Sequence, residues 1–440
     1  MTRPPAGAPA WEPAEVPSQP PLHGLVTADV AVVGAGLAGL ACAYHLAERA
    51  PGLDIAVVDA QRPAAGASGR GTGLLGPRAG PAIDRAVRRF GPETARRMHL
   101  ASVRAVDQVL DLYGRLDARC GLRTGPQIVA TRSPLHLTAL GRQAKAYREL
   151  GLDVPVLSGA AIRARIGVPY TAGLLHRTAA TLDPAALTCA LARACAAKGV
   201  RFYGNSPLRA LRPRDLAGSE LVFPHGTLYA GQAVLAVNSG AREAGLPVGT
   251  VLPLEVYAVA TAPLSAAAYA ALGGRAGYAV VDAAPMAPYF RLLPDRGLVA
   301  GGGTVTAPAG LDAPRLQVLR ERAWNWLGRW LRSLHPELSD VPVVHRWSGR
   351  VGMTLDDLPV VGPVQGCPGV WYIGGCCGHG LALSVAHGAY VAGALLGEPE
   401  PGVPLPWHRS RAPRIPGGGP GRHLLRGYVD ILGRATRRTC

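Results

Sequence analysis

Residues 30–39 read Val30-Ala31-Val32-Val33-Gly34-Ala35-Gly36-Leu37-Ala38-Gly39. The apolar run at 30–33 is typical of a buried parallel strand. Residues 37–50 then have helical spacing and good helix formers, and Pro51-Gly52 is predicted to end that helix. A second apolar strand is predicted at 55–58. The Gly-x-Gly-x-x-Gly motif therefore connects a strand to a helix, which is the context typical of a dinucleotide-binding turn.

Each glycine of the motif fits such a turn, and so does the acidic residue that closes the second strand. Gly34 permits the tight turn, Gly36 lets the main chain approach a diphosphate, and Gly39 lets the helix pack closely on the strand. The helix N-terminus offers unpaired N–H groups to the phosphates. Asp59 can accept hydrogen bonds from a ribose 2′-OH and would repel a 2′-phosphate, so NADP is disfavoured.

A second glycine-rich loop distinguishes NAD from FAD as the cofactor. It reads Gly66-Ala67-Ser68-Gly69-Arg70-Gly71-Thr72-Gly73 and follows Asp59 closely. An NAD enzyme has no evident use for a hydroxyl group and an arginine in such a loop. A longer cofactor needs contacts along its diphosphate and out to a ring system, so the loop favours FAD.

Composition and charge limit the classes of partner. The chain has 440 residues, 48% of them hydrophobic, and a formal net charge of +17. This charge would suit nucleic acid or a membrane surface, but no basic stretch has the interleaved aromatics that stack on bases. Abundant Arg, Ala, Gly and Pro are typical of a GC-rich coding sequence, so no nucleic-acid partner is expected. Cysteines without a CxxC pair predict no metal site, and the lack of a leader or spanning segment predicts a cytoplasmic protein.

Predicted strands and helices divide the chain into two interleaved domains. We predict an α/β protein with a Rossmann-type FAD-binding domain assembled from discontinuous segments, plus an inserted α+β substrate domain with a β-sheet. The first domain comprises 28–120, 181–248 and 341–397, with one helix over 84–118, and the second comprises 121–180 and 249–340. Residues 1–27 are predicted to be a disordered tail. Residues 398–440 form a basic tail rich in Pro and Gly, for which membrane contact is an alternative to a solvated or docked state.

The sequence resembles the D-amino acid oxidase superfamily of FAD-dependent oxidoreductases, especially the branch of gamma-glutamylputrescine oxidase, glycine oxidase and sarcosine oxidase-like enzymes. Four segments in the expected order carry the resemblance: 32–39, 66–70, 347–362 and 374–381. The third contains Trp347-Ser348-Gly349-Arg350 and Thr354-Leu355-Asp356-Asp357-Leu358-Pro359, and the fourth contains Gly378-His379-Gly380-Leu381. No Cys lies near Thr354, where some sarcosine oxidases attach flavin, so non-covalent FAD is expected.

The resemblance implies roles for the matching positions. Ser68 and Arg70 would lie along the diphosphate and the flavin, Leu208 beside the adenine, and Ala236 over the dinucleotide. The helix start after Gly378 would stabilise negative charge on the reduced flavin. The predicted cofactor-binding residues are Gly34, Gly36, Leu37, Ala38, Gly39, Asp59, Ala60, Ser68, Arg70, Leu208, Ala236, Gly375, Gly378, His379, Gly380 and Leu381.

Fewer residues are candidates for catalysis and substrate binding. His379 is the candidate polar group at the flavin, and Arg291 could pair with a substrate carboxylate. Arg70 completes the predicted catalytic set. Tyr257 and Trp347 are predicted to bind substrate together with Arg291, and core packing is the alternative for both aromatic residues.

The resemblance also implies a reaction. Hydride would pass from the carbon next to nitrogen to flavin N5, and the resulting imine would hydrolyse in water. The expected substrate is a small amine or amino acid, and the expected acceptor is O2, which gives H2O2. Two alternatives stay open: a flavin dehydrogenase that passes electrons to a quinone or carrier, and an FAD-containing RNA- or partner-binding protein.

Overall fold

The computed structural model describes residues 7–11, 15–116, 118–214, 218–241, 244–274, 276–398, 405–414, 427, 429, 431 and 433–436. The strands in chain order are β1 (Gly24–Val33), β2 (Ile55–Val58), β3 (Leu74–Leu75), β4 (Arg123–Thr124), β5 (Gln127–Thr131), β6 (Val156–Ser158), β7 (Ala172–His176), β8 (Ala180–Thr181), β9 (Arg201–Tyr203), β10 (Ala210–Pro213), β11 (Ser219–Val222), β12 (Gly226–Leu235), β13 (Leu252–Thr261), β14 (Ala279–Asp282), β15 (Tyr289–Leu292), β16 (Leu298–Thr306), β17 (Val343–Met353), β18 (Val360–Pro363) and β19 (Val370–Gly374). The helices are α1 (Leu37–Arg49), α2 (Ala67–Arg70), α3 (Ile83–Phe90), α4 (Pro92–Arg115), α5 (Pro134–Glu149), α6 (Gly159–Ile166), α7 (Pro184–Ala197), α8 (Ala266–Ala271), α9 (Ala313–Arg332) and α10 (Gly380–Leu395).

The first sheet is built around β1, as the glycine motif predicts. Its order is β10-β11-β12-β1-β2-β9, and β19 joins at β12 with β18 beside it. Within β1, residues 30–33 pair in parallel with β2 on one side and β12 on the other. Val30 and Val32 pack into one hydrophobic cluster, whereas Ala31 and Val33 pack into another. The strand is therefore buried on both faces, which accounts for its uninterrupted apolar run.

Two helices of the first domain approach each other through a glycine. A Cβ at Gly388 of α10 would come within 2.6 Å of the Ala38 carbonyl oxygen and 2.7 Å of the Ala41 Cβ in α1. Only glycine permits this approach. The contact fixes α10 against the helix that follows the glycine turn, although the two helices lie far apart in the chain.

The second sheet has the order β17-β13-β16-β15-β14-β5-β7-β6. The indoles of Trp324 and Trp330 in α9 are buried in its hydrophobic cluster. The predicted fold class, a Rossmann-type domain from separated segments with an inserted domain that contains a sheet, is confirmed. The first domain was predicted to resume at residue 341, but strand β17 belongs to the second sheet. It pairs with β13 from Met353 to Val343 and so extends that sheet.

The segment predicted as one helix over 84–118 forms two helices. Gly91 separates α3 from α4 with φ +80°, a conformation outside the helical region. Pro92 follows as the first residue of α4, where its missing N–H has no helical partner to lose.

The N-terminal segment is more ordered than the predicted tail. Strand β1 begins at Gly24, and Leu22 is buried with its N–H donated to Ser206 Oγ at 2.9 Å. Strand pairing with β12 extends from Gly24, which explains the early start. Residues 7–11 also contact the two domains. Residues 1–6 and 12–14 lie outside the described residues.

Part of the predicted C-terminal tail docks on the first domain. Arg409 donates two hydrogen bonds to the Asp356 carboxylate at 2.6 and 2.8 Å, and others to the Leu358 and Pro359 carbonyls at 2.8 and 3.0 Å. Trp407 is buried beside this contact. The sequence contains no periodic signal for such a docking, because individual contacts hold the segment: the Arg409 guanidinium, together with main-chain hydrogen bonds that join Val361 to Trp407 and to Arg409. Residues 399–404 and 415–426 lie outside the described residues.

The substitution Arg409→Ala is expected to lower the free energy of unfolding by about 3 kcal/mol, because it leaves a mostly buried carboxylate with the more distant Arg89, at 3.4 Å, as its remaining charged partner. Thermal and denaturant unfolding measure the change. Arg411→Ala is the matched control, since Arg411 is exposed and an exposed arginine contributes little. Equal unfolding free energies for the two variants would contradict a stabilising role for the contact between Arg409 and Asp356.

The same contact predicts a pH dependence. Burial alone would raise the pKa of Asp356, but the hydrogen bonds and charge of Arg409 lower it below the usual value. A lowered folded pKa stabilises the protein above the unfolded value of about 3.9, and this stabilisation is lost as the pH falls through the folded pKa. The difference in melting temperature between wild type and R409A should therefore shrink in acid below about pH 4.

Candidate cofactor and substrate site

The glycine turn forms a cradle for a diphosphate. Gly34 has φ +110°, and a Cβ there would come within 2.6 Å of the Ala236 carbonyl oxygen. A Cβ at Gly39 would collide with the Gly34 carbonyl oxygen, so only glycine lets α1 start this close to the turn. Helix α1 has no side-chain N-cap. The Leu37 amide is bonded to Ser68, but the amide of Ala38 has no helical partner and is available to an anion.

Asp59 and its neighbours lie at one edge of this cradle. The Asp59 carboxylate accepts hydrogen bonds from the amides of Ala35 and Gln61, both at 2.7 Å. Burial raises the pKa of Asp59, while these hydrogen bonds lower it. Ala60 follows directly, and the 206–208 segment is fixed beside it because the Ser206 amide donates to the Asp59 carbonyl at 2.9 Å. Leu208 packs on the hydrophobic cluster under this edge.

The second glycine-rich loop lies next to the first turn. Ser68 Oγ accepts a hydrogen bond from the Leu37 amide at 2.9 Å, and a Cβ at Gly36 would also lie 2.9 Å from this oxygen. The Ser68 hydroxyl therefore joins the two glycine-rich loops at the start of α1. These residues fit FAD, which supplies a two-electron acceptor when it is bound.

The two arginines predicted to act in catalysis bond main-chain carbonyls. Arg70 donates to the Gly7 and Ser348 carbonyls at 2.9 and 3.0 Å. Arg291 is 1% exposed and donates to the Thr72 and Leu182 carbonyls at 2.6 and 2.8 Å. Burial lowers the pKa of Arg291 to about 10, so the guanidinium stays charged at neutral pH. The structure places both side chains as cross-links between the domains.

The aromatic residues predicted to line a pocket lie in the interior. Tyr257 is 1% exposed, donates its hydroxyl to Thr306 Oγ1 at 2.6 Å and packs edge-on against Trp324. Trp347 is fully buried and donates its indole N–H to the Arg70 carbonyl at 3.0 Å. Both residues therefore occupy core positions, which is the alternative to their predicted role in substrate binding.

The turn before α10 closes the other side of the site. Gly375, Cys377 and Gly378 have φ angles of +65°, +52° and +85°, which aim the chain into the start of the helix. The Gly375 amide donates to Asn238 Oδ1 at 3.0 Å and holds this turn on the first sheet. His379 is the N-cap residue without a side-chain capping bond, so the first amides of α10, in Gly380 and Leu381, are unpaired within the helix.

Beside this turn lies Arg78, which is not among the site residues predicted from the sequence. Arg78 is exposed, yet burial lowers its pKa, because protein surrounds a side chain that water still reaches. The Asp357 carboxylate raises that pKa in part. Among the described residues, no acceptor is found for a hydrogen bond from its guanidinium. The only sequence signal is an arginine in the Gly76–Gly80 stretch just after the second glycine-rich loop.

Neutral ring side chains stand around Arg78. Burial lowers the pKa of His379 to about 3, and the charge of Arg78 contributes. His99, Tyr147 and His176 form a cluster with ring centroids 5.2–6.1 Å apart. Burial lowers the pKa of His176 to about 3, and its Nδ1 has no hydrogen-bond partner among the described residues. The surroundings of Arg78 therefore combine these neutral rings with the charges of Asp357 and Arg85.

Two kinds of feature do not occur in the described part of the chain. No group of His, Cys, Asp or Glu side chains is arranged to hold a metal ion. No described helix combines the length and the apolar character that are needed to cross a membrane.

The glycine turn is typical of a dinucleotide-binding domain, and a second glycine-rich loop lies beside it. Together with the second, sheet-containing domain, these features define a flavoprotein of the two-domain oxidoreductase class. The model of the FAD dependent oxidoreductase family DAO matches residues 29–394, and the chain belongs to this family. The resemblance drawn from the sequence motifs is thereby confirmed, as is FAD as the cofactor.

Individual proteins agree with this assignment. The chain is 28% identical to gamma-glutamylputrescine oxidoreductase from Escherichia coli over 86% of both chains. It is 25% identical to a probable oxidoreductase, OrdL, from Haemophilus influenzae, over 87% of this chain and 86% of that protein. The crystal structure of glycine oxidase from Geobacillus kaustophilus superposes with a TM-score of 0.71 at 20% identity and covers 89% of this chain and 100% of its own. At that identity the superposition shows a common fold.

Proposed function

We propose that the protein oxidises the C–N bond of a small amine or amino acid, with non-covalent FAD as the two-electron acceptor. The C–H bond next to nitrogen breaks and its hydrogen leaves as hydride. The resulting iminium ion releases a proton to give an imine, which water hydrolyses. Return of the two electrons to O2, with two protons, gives H2O2. The observation that carries the proposal is that Arg78 lies close to His379, the N-cap residue of α10.

Arg78 supports a substrate with a carboxylate group. No described residue accepts a hydrogen bond from its guanidinium, which water still reaches and which has neutral rings beside it. A carboxylate would supply the two oxygens that a guanidinium binds in a bidentate contact. We therefore propose Arg78, in place of Arg291, as the residue that pairs with a substrate carboxylate.

The groups around Arg78 and His379 suit a substrate amine that reacts in its neutral form. The low pKa of His379 leaves its ring uncharged at neutral pH, so it can accept or donate a hydrogen bond but does not add positive charge. Arg78 likewise disfavours a bound ammonium. The first amides of α10 would stabilise negative charge that develops near them. No strong protein base is needed for this reaction.

The variant His379→Gln tests whether this histidine titrates during turnover. It is expected to lower kcat about tenfold, as the loss of about 1.4 kcal/mol of transition-state stabilisation would. Because the pKa of His379 is about 3, the shape of the pH profile of kcat/KM between about pH 5 and 9 should not change. A wild-type pKa in this range that disappears in H379Q would contradict the proposal.

Oxygen consumption and peroxide formation with a panel of amines and amino acids test the proposed acceptor. The expected result is one H2O2 per substrate oxidised. Rapid reduction of a quinone or dye without peroxide would replace O2 by an electron carrier and favour the dehydrogenase. A salt-sensitive shift of RNA without flavin reduction by any substrate would instead favour the binding protein.

A further inference from the structure

Three consecutive main-chain carbonyls of the second glycine-rich loop each accept a hydrogen bond from a large side chain. The Arg70 carbonyl accepts from the Trp347 indole at 3.0 Å, and the Thr72 carbonyl from Arg291 at 2.6 Å. The Gly71 carbonyl between them accepts from the Trp11 indole at 3.1 Å. Two of these donors belong to the second sheet, whereas Trp11 belongs to the segment before β1.

The segment 7–11 is fixed at both ends of its contact with the domains. The Gly7 amide donates to the Arg346 carbonyl at 2.9 Å, and the Gly7 carbonyl accepts from Arg70 at 2.9 Å. The Trp11 ring packs edge-on against Trp347, with centroids 6.1 Å apart. The Arg291 guanidinium lies over the Trp11 ring at 5.2 Å, which shields a buried cation. Trp11 therefore contacts both other donors of the loop.

Fixing a carbonyl also fixes the amide of the same peptide unit, because the two point in opposite directions across a trans peptide. The carbonyls of residues 70–72 point toward the three donors, so the amides of Gly71, Thr72 and Gly73 point away from them. Among the described residues, no acceptor is found for these three amides. They form a row of unpaired donors.

We infer that Trp11 is a positioning residue for the bound flavin: by holding the Gly71 carbonyl, it turns the Thr72 amide toward the ring system of FAD. The inference rests on the placement of FAD along the 66–73 loop. Trp11 does not touch the reacting atoms. Its contribution is the orientation of one peptide unit and the closure of the loop against the second sheet.

Two substitutions separate positioning from packing. Trp11→Phe keeps an aromatic ring against Trp347 and Arg291 but has no indole N–H. It should retain the wild-type melting temperature, yet raise the Kd for FAD about tenfold, as the loss of one hydrogen bond in the site would. It should also change the visible circular dichroism of the bound flavin. Trp11→Ala should lose both stability and FAD affinity.

Trp371→Ala is the control, because Trp371 is a partly buried indole that packs on Tyr390 of α10. It should lower the melting temperature without changing the Kd for FAD. A wild-type Kd and flavin spectrum in W11F would overturn the inference, and so would tighter FAD binding by W11A, because the segment would then obstruct the site. Failure of the wild-type protein to bind FAD would instead overturn the cofactor placement on which the inference rests, whereas the amine substrate does not enter this experiment.

Discussion

Replacing Gly36 by valine is expected to abolish FAD binding at cofactor concentrations that saturate the wild-type protein, with the apoprotein still folded. Gly36 has φ −86° and ψ 178°, which any L-residue adopts, so the main chain tolerates a side chain. A Cβ would nevertheless lie 2.9 Å from Ser68 Oγ, and the valine methyl groups would extend into the diphosphate space. Loss of about two charge-assisted hydrogen bonds corresponds to about 3 kcal/mol, or at least ~100-fold in Kd.

Flavin fluorescence titration and thermal unfolding of the apoprotein check this prediction. Gly52→Ala is the matched control, since a Cβ at Gly52 would meet nothing within 4 Å. It should bind FAD like the wild type. If G36V and G52A bound FAD equally well, the diphosphate would not lie at the first turn of α1.

The second large effect is expected at Arg78. Arg78→Gln should raise KM for substrates with a carboxylate about 100-fold, because a bidentate charge-assisted contact contributes about 3 kcal/mol. Oxidation of amines without a carboxylate should change little, since these compounds do not use the guanidinium. Steady-state kinetics with paired substrates, an amino acid and the corresponding amine, measure this difference.

Two further variants show whether the geometry of Arg78 matters. Arg78→Lys keeps the charge without the planar fork and should give an intermediate KM. Arg163→Gln removes an exposed charge from α6 and should leave the kinetics unchanged. Equal losses in R78Q for amino acids and plain amines would contradict a carboxylate contact and assign Arg78 a structural role.

The fold was predictable where short-range rules determine it. The run at 30–33, the three glycines and Asp59 are neighbours in the chain, and their spacing alone predicts strand, turn and helix. The assignment of β17 to the second sheet and the docking of Arg409 on Asp356 depend on partners tens of residues away. No local periodicity encodes such pairings, so the sequence did not predict that β17 extends the second sheet beyond residue 341, and it left the C-terminal tail open between a solvated and a docked state.

Of the candidate site, only the glycine positions of the dinucleotide-binding turn were predictable from the sequence. Glycine positions carry a strict steric requirement that is visible in the sequence, and Gly34 and Gly39 meet it through contacts with Ala236 and with each other. An arginine gives no such signal. Nothing in the sequence distinguishes Arg291 from Arg78. In the fold, Arg291 is buried against main-chain carbonyls, whereas Arg78 is exposed to water.

Anaerobic titration of the FAD-loaded protein tests the central claim most directly. The panel should contain amino acids, amines, 2-hydroxy acids and reduced nicotinamide nucleotides, and the visible flavin absorbance reports reduction. The account predicts that at least one amino acid or amine bleaches the flavin at one equivalent per site, and that admission of air restores the colour with formation of H2O2. Bleaching by a 2-hydroxy acid or a nicotinamide nucleotide, with no response to any compound that has an amino group, would contradict it.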